Sequence, residues 1–119
     1  MKPADLSQVM DRDLLMDRFG GDRDLLHELA TLYFVEYPKQ FEELRSAVAA
    51  RDLKRVQQAA HKISGTARSF AAAPAAKAAH ALEQTREFGD GASISEMASR
   101  LAQELRRLQT ALEQAVDLL

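Results

Sequence analysis

The sequence predicts an all-α protein, an antiparallel four-helix bundle with a short extra N-terminal helix. Three observations predict this fold class. Alanine, leucine, glutamate, glutamine, lysine and arginine dominate the 119 residues, whereas only 5 are glycine and 3 are proline, a composition that favours helices. Apolar residues recur at steps of three and four, as on one face of a helix. The connections between these segments are short, roughly 2 to 6 residues, which predicts antiparallel neighbours in a bundle.

The length of the chain predicts one domain with one hydrophobic core. We expect this domain to span residues 1–119, with the bundle over about 22–118. The short first helix, over about 11–19, is stopped by Gly20 and Gly21, because two adjacent glycines interrupt a helix.

The second helix is predicted to be long. It opens at Asp22, a good N-cap residue, and carries Leu25, Leu29 and Leu32 at helical spacing. Pro38 removes one backbone donor and should kink or end the helix. Because the apolar pattern resumes beyond it, we expect one long kinked helix rather than two short ones.

Three more helices complete the bundle. Asp52 caps the third, which runs to about Phe70, and the fourth begins near Pro74 and fades at Phe88-Gly89, proline being suited to a first helical turn. The last runs from Ser93 to the C-terminus. It carries a continuous apolar stripe that should face the other helices: Ile94, Met97, Leu101, Leu105, Leu108, Leu112, Ala115 and Leu119.

The charge and composition exclude several classes of function. Sixteen basic against eighteen acidic side chains give a formal charge of −2, without the positive excess that binds nucleic acid or anionic membranes. The chain has no cysteine, which excludes disulfides and thiolate metal sites. No apolar run approaches the roughly 20 residues that span a bilayer, and MKPADLSQVM lacks the apolar stretch of a signal peptide. We therefore expect a cytoplasmic protein that binds neither nucleic acid nor membrane.

The segment AAHKISGTARSF, residues 59–70, contains the main candidate for a functional residue. At about 100° per residue, the apolar residues of the third helix lie opposite His61, which is therefore predicted on the polar surface. The residues on the same side as the histidine are Lys54, Gln57, Gln58, Gly65 and Arg68. A glycine inside a helix costs roughly 1 kcal/mol relative to alanine. Gly65 nevertheless lies one turn after His61, where it clears the surface for a bulky group to approach the imidazole.

The charged residues around His61 suit a phosphoryl acceptor. Helical side chains lean toward the N-terminus, so Arg68 can reach back over Gly65, and its planar fork fits phosphate oxygens. Lys62 could reach the same group from the side. Antiparallel pairing places Glu83 level with His61, where it could accept a hydrogen bond from one imidazole nitrogen and leave the other as nucleophile. A solvated glutamate that orients nothing is an equal alternative.

The stretch AAHKISGTARSFAAAPAAKAAHALEQ resembles the signature of histidine-containing phosphotransfer (HPt) domains. That signature is a histidine, a glycine four residues later, small and apolar residues, and a Leu-Glu pair about 21 and 22 residues on. The matching residues are His61, Gly65, Ala67, Phe70, Leu82 and Glu83. The order of helices also agrees, so the resemblance covers the chain from about Asp11 to the C-terminus. One departure is Ser64, which stands where the family usually has a lysine; its hydroxyl can still donate a hydrogen bond to a phosphoryl oxygen.

The resemblance implies a phosphotransfer intermediate rather than an enzyme. The protein would relay a phosphoryl group between aspartates of receiver domains through phospho-His61. Its partners would be response-regulator receiver domains and a hybrid sensor histidine kinase. The receiver would contribute Mg²⁺, and the domain itself would need no cofactor. The chain shows no glycine-rich phosphate loop or nucleotide-binding pattern, which argues against kinase activity of its own.

Docking is expected on the surface around His61. Gln57 and Gln58 lie on that surface, and helical phase suggests exposed apolar contacts on the early helices at Met16, Leu26 and Phe34. We expect the protein to be a monomer.

Two other hypotheses belong to different classes. The chain could be a non-phosphorylated HPt-like adaptor or helical oligomerisation module that binds receiver or kinase domains. Ser64 favours this alternative, and the stripe of the last helix could pair between chains instead of packing in its own bundle. The other hypothesis is a metal site of His27, His61 and His80; no two of them have the i, i+4 spacing of helical ligands, so we expect no metal site.

Overall fold

The computed structural model describes residues 9–88 and 92–118 of the chain. Within these ranges the backbone forms five helices and no strand. The helices are α1 (Arg12–Arg18), α2 (Arg23–Ala49), α3 (Leu53–Ser69), α4 (Ala73–Glu83) and α5 (Ala92–Leu118). The all-α prediction is therefore confirmed. Most of the N-terminal segment considered above, together with Gly89 and Leu119, lies outside the described residues.

Aspartates begin the first three helices. The carboxylate of Asp11 accepts a hydrogen bond from the Leu14 amide at 3.0 Å, and that of Asp22 accepts one from the Leu25 amide at 3.0 Å. Asp52 caps α3 in the same way. These bonds satisfy backbone N–H groups that have no partner within the helix. The predicted caps at Asp22 and Asp52 are confirmed.

The α2 helix passes through Pro38 without a break, from Arg23 to Ala49. The prediction of one long helix is therefore confirmed. Before it, Gly20 and Gly21 have φ angles of 60° and 76°, a left-handed conformation that glycine adopts without steric cost. This turn separates α1 from α2.

The four long helices form a closed ring around one core. Helix α2 packs against α3 and α5, and α4 packs against the same two helices. Short α1 lies across the end of the bundle. The Asp11 amide donates to the carbonyl of Ala71 at 2.8 Å, Leu15 is fully buried, and the Arg18 guanidinium donates to the carbonyl of Arg68. The predicted four-helix bundle with a short extra helix is confirmed.

The apolar stripe of α5 is used inside the bundle. Ile94, Leu101, Leu105, Leu108 and Leu112 are buried, and Met97 packs partly against the same core. The side chains of Ala115 and Leu119 lie outside the described part. Because the described stripe is already covered by the chain's own helices, it is not free to pair between chains, and this part of the oligomerisation hypothesis is wrong.

The face of α2 that meets the core differs from the expectation. Leu26, proposed as an exposed docking residue, is fully buried with Ala30 and Tyr33, whereas Leu25 and Leu32 are 39% and 54% exposed. The hydroxyl of Tyr33 donates to the carbonyl of Leu105 on α5 at 3.2 Å, a bond consistent with this face being turned inward. The other two proposed docking residues, Met16 and Phe34, are also partly buried against the core.

Helix α4 is shorter than predicted. It ends at Glu83 instead of fading at Phe88, and residues 85–88 are not helical. The Thr85 amide donates to the carbonyl of Leu82 at 3.1 Å, which tightens the last turn, and the carbonyl of Thr85 is bonded to α3. The chain thus leaves the helix axis directly after Glu83.

Within residues 9–88 and 92–118, none of the helices is both long enough and apolar enough to cross a membrane.

Candidate functional site

His61 lies in the middle of α3 on the side that faces away from the core. Its side chain is 66% exposed, whereas the apolar residues of the opposite side, Val56, Ala59, Ile63 and Ala67, are buried. Because these residues lie on one side of the helix, packing of α3 against the bundle leaves the imidazole in solvent. The predicted exposure of His61 is confirmed.

The imidazole of His61 is held by the last residue of α4. Its Nδ1 lies 2.7 Å from Oε1 of Glu83, whose side chain is 24% exposed. An ionised carboxylate only accepts hydrogen bonds, so Nδ1 is the donor in this pair, and the neutral form of the imidazole then has its lone pair on Nε2. The site therefore contains an exposed histidine with a defined tautomer, which is the arrangement of a nucleophile.

A second histidine lies near the same carboxylate. Nδ1 of His80 is 3.7 Å from the other oxygen of Glu83, beyond hydrogen-bond distance. His27, on α2, is exposed. In the described part of the chain, no three histidine, aspartate or glutamate side chains are grouped as metal ligands.

The surface one turn beyond His61 is open. A Cβ atom built on Gly65 would meet no atom within 4 Å, apart from its chain neighbours and nearby helix backbone. Alanine would therefore fit within the folded chain. Packing within the described residues therefore does not explain a glycine here.

Ser64 is not available to a phosphoryl group. The residue is fully buried and its hydroxyl oxygen has no hydrogen-bond partner, so the expected donation from this side chain is wrong. Ser64 lies on the same side of α3 as Gln57, seven residues earlier, which bonds to the chain just after α4. This side of α3 packs against α4, and the short serine side chain is covered there.

An open depression of about 950 Å³ lies beside His61. It is bordered by the predicted residues Gln57, Gln58, Lys62 and Glu83, and also by Arg86. Arg86 was not predicted, because it lies in a non-helical connection where no periodicity indicates its position. Arg68, one turn past Gly65, is exposed but does not border the depression.

An apolar hollow of about 590 Å³ lies between α1, α2 and α3. Phe19, Leu29, Leu32 and Phe70 line it, and Thr66, the neighbour of Gly65, lies at its α3 side. The proposed docking residues Met16, Leu26 and Phe34 do not line it. Leu29 and Leu32 line the hollow instead. Their helical spacing can be read in the sequence, but the same spacing is also typical of residues that face the core.

Comparisons with known proteins agree with this architecture. The family model of the Hpt domain matches residues 28–117. The chain is also similar to the solved structure of the HPT domain from a Shewanella Hpt sensor hybrid histidine kinase. The TM-score is 0.75 at 18% sequence identity, with 97% of this chain and 98% of that chain covered. No curated protein matches the chain. At this identity, the structural likeness supports the bundle fold.

Proposed function

This chain belongs to the HPt-domain family, whose members carry phosphoryl groups in two-component signalling, and we propose that it relays a phosphoryl group between receiver aspartates through Nε2 of His61. The observation that carries the proposal is the bond between Nδ1 of His61 and Glu83 at 2.7 Å. It fixes the tautomer and leaves one nitrogen as the nucleophile.

The transfer step follows from this tautomer. The lone pair of Nε2 forms the new bond to phosphorus, the bond between phosphorus and the receiver's acyl oxygen breaks, and the aspartate leaves as a carboxylate. The ring then carries a positive charge, which the carboxylate of Glu83 balances at Nδ1. The receiver supplies Mg²⁺ and most of the charge stabilisation. The domain is therefore a carrier rather than an enzyme.

The surface beside His61 suits a docked receiver. Gly65 leaves it open, and the apolar hollow that includes Leu32 begins next to this glycine. Gln58 borders the depression on the other side of the histidine. We propose response-regulator receivers and a hybrid sensor histidine kinase as partners of a monomeric, cytoplasmic protein.

Two cations on α3 support binding of the phosphoryl group. Lys62 borders the depression beside His61, and Arg68 is exposed one turn past Gly65. Side chains of a helix lean toward its N-terminus, so Arg68 can reach back toward His61 across the surface that the glycine leaves open. We propose that both offset the charge of the transferred group.

A second candidate function is an adaptor that binds receivers without accepting phosphate. The burial of Ser64 favours it, because the position that usually carries the family's lysine contributes no cation and no accessible hydroxyl. The two functions share the docking surface and differ only in whether His61 reacts.

Transfer of labelled phosphate from a panel of phosphorylated receiver domains tests the proposal. His61→Gln is the test variant, and His27→Gln, which replaces another exposed histidine, is the matched control. We expect acid-labile label on the native chain and on the control but not on His61→Gln. Receivers that bind the native chain without transferring label would support the adaptor, and label that survives in His61→Gln would place the acceptor elsewhere.

A further inference from the structure

A phosphoryl group on His61 brings roughly two negative charges that nearby cations must balance. The family's lysine, three residues after the histidine, is replaced here by Ser64, which is buried. The cation at that position is therefore missing. The structure contains another candidate cation in the connection that follows α4.

This connection is fastened at two points, one on each side of Arg86. Nε2 of Gln57 donates to the carbonyl oxygen of Thr85 at 2.7 Å. The guanidinium carbon of Arg51 lies 4.9 Å from the ring centroid of Phe88, within the range of a cation–π interaction. Because Gln57 precedes His61 by one turn of α3, the first anchor ties the connection to the neighbourhood of the histidine.

The charges that border the depression beside His61 are not equally available. Arg55 is paired with Glu43 at 3.0 Å, and Glu83 is occupied by His61. Within the described residues, Arg86 has no ion pair. The same holds for Lys62 in that part of the chain. In the part of the chain that the structure describes, Arg86 thus borders the depression beside His61 without an ion-pair partner.

We propose that Arg86 binds the phosphoryl group on His61 and supplies the charge that Ser64 does not. This inference rests on the proposed phosphotransfer function. A guanidinium presents parallel N–H donors that match two phosphate oxygens, and Arg86 borders the depression from the connection that follows α4. Gln57 acts through Arg86 as a positioning residue, because its bond to Thr85 holds the backbone next to the arginine.

Phosphoramidate is a small phosphoryl donor that has no surface with which to dock on this chain. The rate of its reaction therefore reports on binding of the phosphoryl group and not on docking of a receiver. Its P–N bond breaks as Nε2 of His61 forms a bond to phosphorus, and the nitrogen, already protonated in the donor, leaves as ammonia. The proton on Nδ1 stays in the bond to Glu83. The rate of phosphohistidine formation is followed by mass spectrometry of the intact chain.

Arg86→Gln is the test variant, and Arg100→Gln, an exposed arginine on α5 that does not border this depression, is the matched control. We expect the first to react about tenfold more slowly, the loss that follows from one charge-assisted hydrogen bond. The control should react at the native rate, and Arg86→Lys should fall between the two. Thermal melting of each variant separates this effect from unfolding.

A double-mutant cycle tests the role of Gln57. If Gln57→Ala slows the reaction only by displacing Arg86, it has little further effect in the Arg86→Gln background. Equal rates for Arg86→Gln and Arg100→Gln would overturn the inference while the native chain still accepts phosphate. A native chain that accepts phosphate from neither phosphoramidate nor any receiver would overturn the proposed function, and this inference with it.

Discussion

Replacing Gly65 with alanine should make the protein more stable and less active. Glycine in a helix interior costs about 0.5–1 kcal/mol relative to alanine. A Cβ at this position meets open space within 4 Å, so no clash reduces the gain and no new burial adds to it. The bond from Ser69 to the carbonyl of Gly65 uses only the backbone and is kept. We therefore expect the full propensity gain of about 0.5–1 kcal/mol in the free energy of unfolding.

The same methyl group faces the proposed receiver surface one turn beyond His61. We expect transfer from a phosphorylated receiver to slow by about tenfold or more, since a misfit of about 1 Å at a reacting centre can cost a hundredfold. Reaction with phosphoramidate should change little, because that donor does not cover the helix. Urea unfolding measures the first effect and rapid-quench transfer the second.

Ser99→Ala on α5 is the control for stabilisation alone, because it replaces an exposed helical serine away from the site. It should raise stability by a few tenths of a kcal/mol and leave transfer at the native rate. Two results would refute the reasoning about Gly65. A less stable Gly65→Ala would mean that packing within the chain requires the glycine, and an unchanged transfer rate would mean that no partner touches this surface.

Three other changes test separate parts of the structure. Ser64→Ala removes a buried hydroxyl that has no partner, so urea unfolding should show a gain of about 1 kcal/mol; a loss would indicate a partner for this hydroxyl. Tyr33→Phe removes the bond to the Leu105 carbonyl and should cost about 1 kcal/mol at neutral pH. Burial raises the pKa of Tyr33 above its usual 10.0, so folding keeps the phenol protonated. The contribution of the Tyr33 phenol to stability is complete below pH 10 and falls as the pH rises above it. The free energy of unfolding, measured up to pH 11, should therefore fall more steeply with pH in the native chain than in Tyr33→Phe. Parallel curves for the two proteins would contradict this. Glu83→Gln keeps an acceptor for Nδ1 but removes the charge, so phosphoramidate should react a few-fold more slowly than with the native chain and faster than with Glu83→Ala; equal rates for the native chain and both variants would show that neither the charge nor the bond matters.

The exposure of His61 could be predicted from the sequence because it depends on one helix. The apolar residues of α3 all lie on one side, so the opposite side has to face solvent wherever the helix packs. The contact between His61 and Glu83 was also predictable. The connection between α3 and α4 is short, so it fixes which residues of the two antiparallel helices lie side by side. Local periodicity and short connections therefore determine the centre of the site.

The surroundings of His61 depend on contacts that no local pattern contains. Apolar residues of α2 occupy two adjacent rows, and the inward face is the one whose Tyr33 bonds to Leu105, 72 positions away in the chain. Ser64 is polar and lies only three residues after His61, yet the packing of α4 covers it. The placement of Arg86 depends on Gln57, 29 residues earlier in the chain, through the neighbouring Thr85 carbonyl. These features could therefore be identified only from the structure of the assembled bundle.

The bond between His61 and Glu83 joins two different helices, so the choice of the reacting nitrogen is a property of the assembled bundle. In an unfolded chain, or in a peptide containing only α3, no carboxylate holds Nδ1, and both ring nitrogens compete for phosphorus. The two phosphohistidine isomers therefore report on tertiary structure: a single isomer marks chains that reacted while folded, and a mixture marks chains that reacted after the two helices had separated.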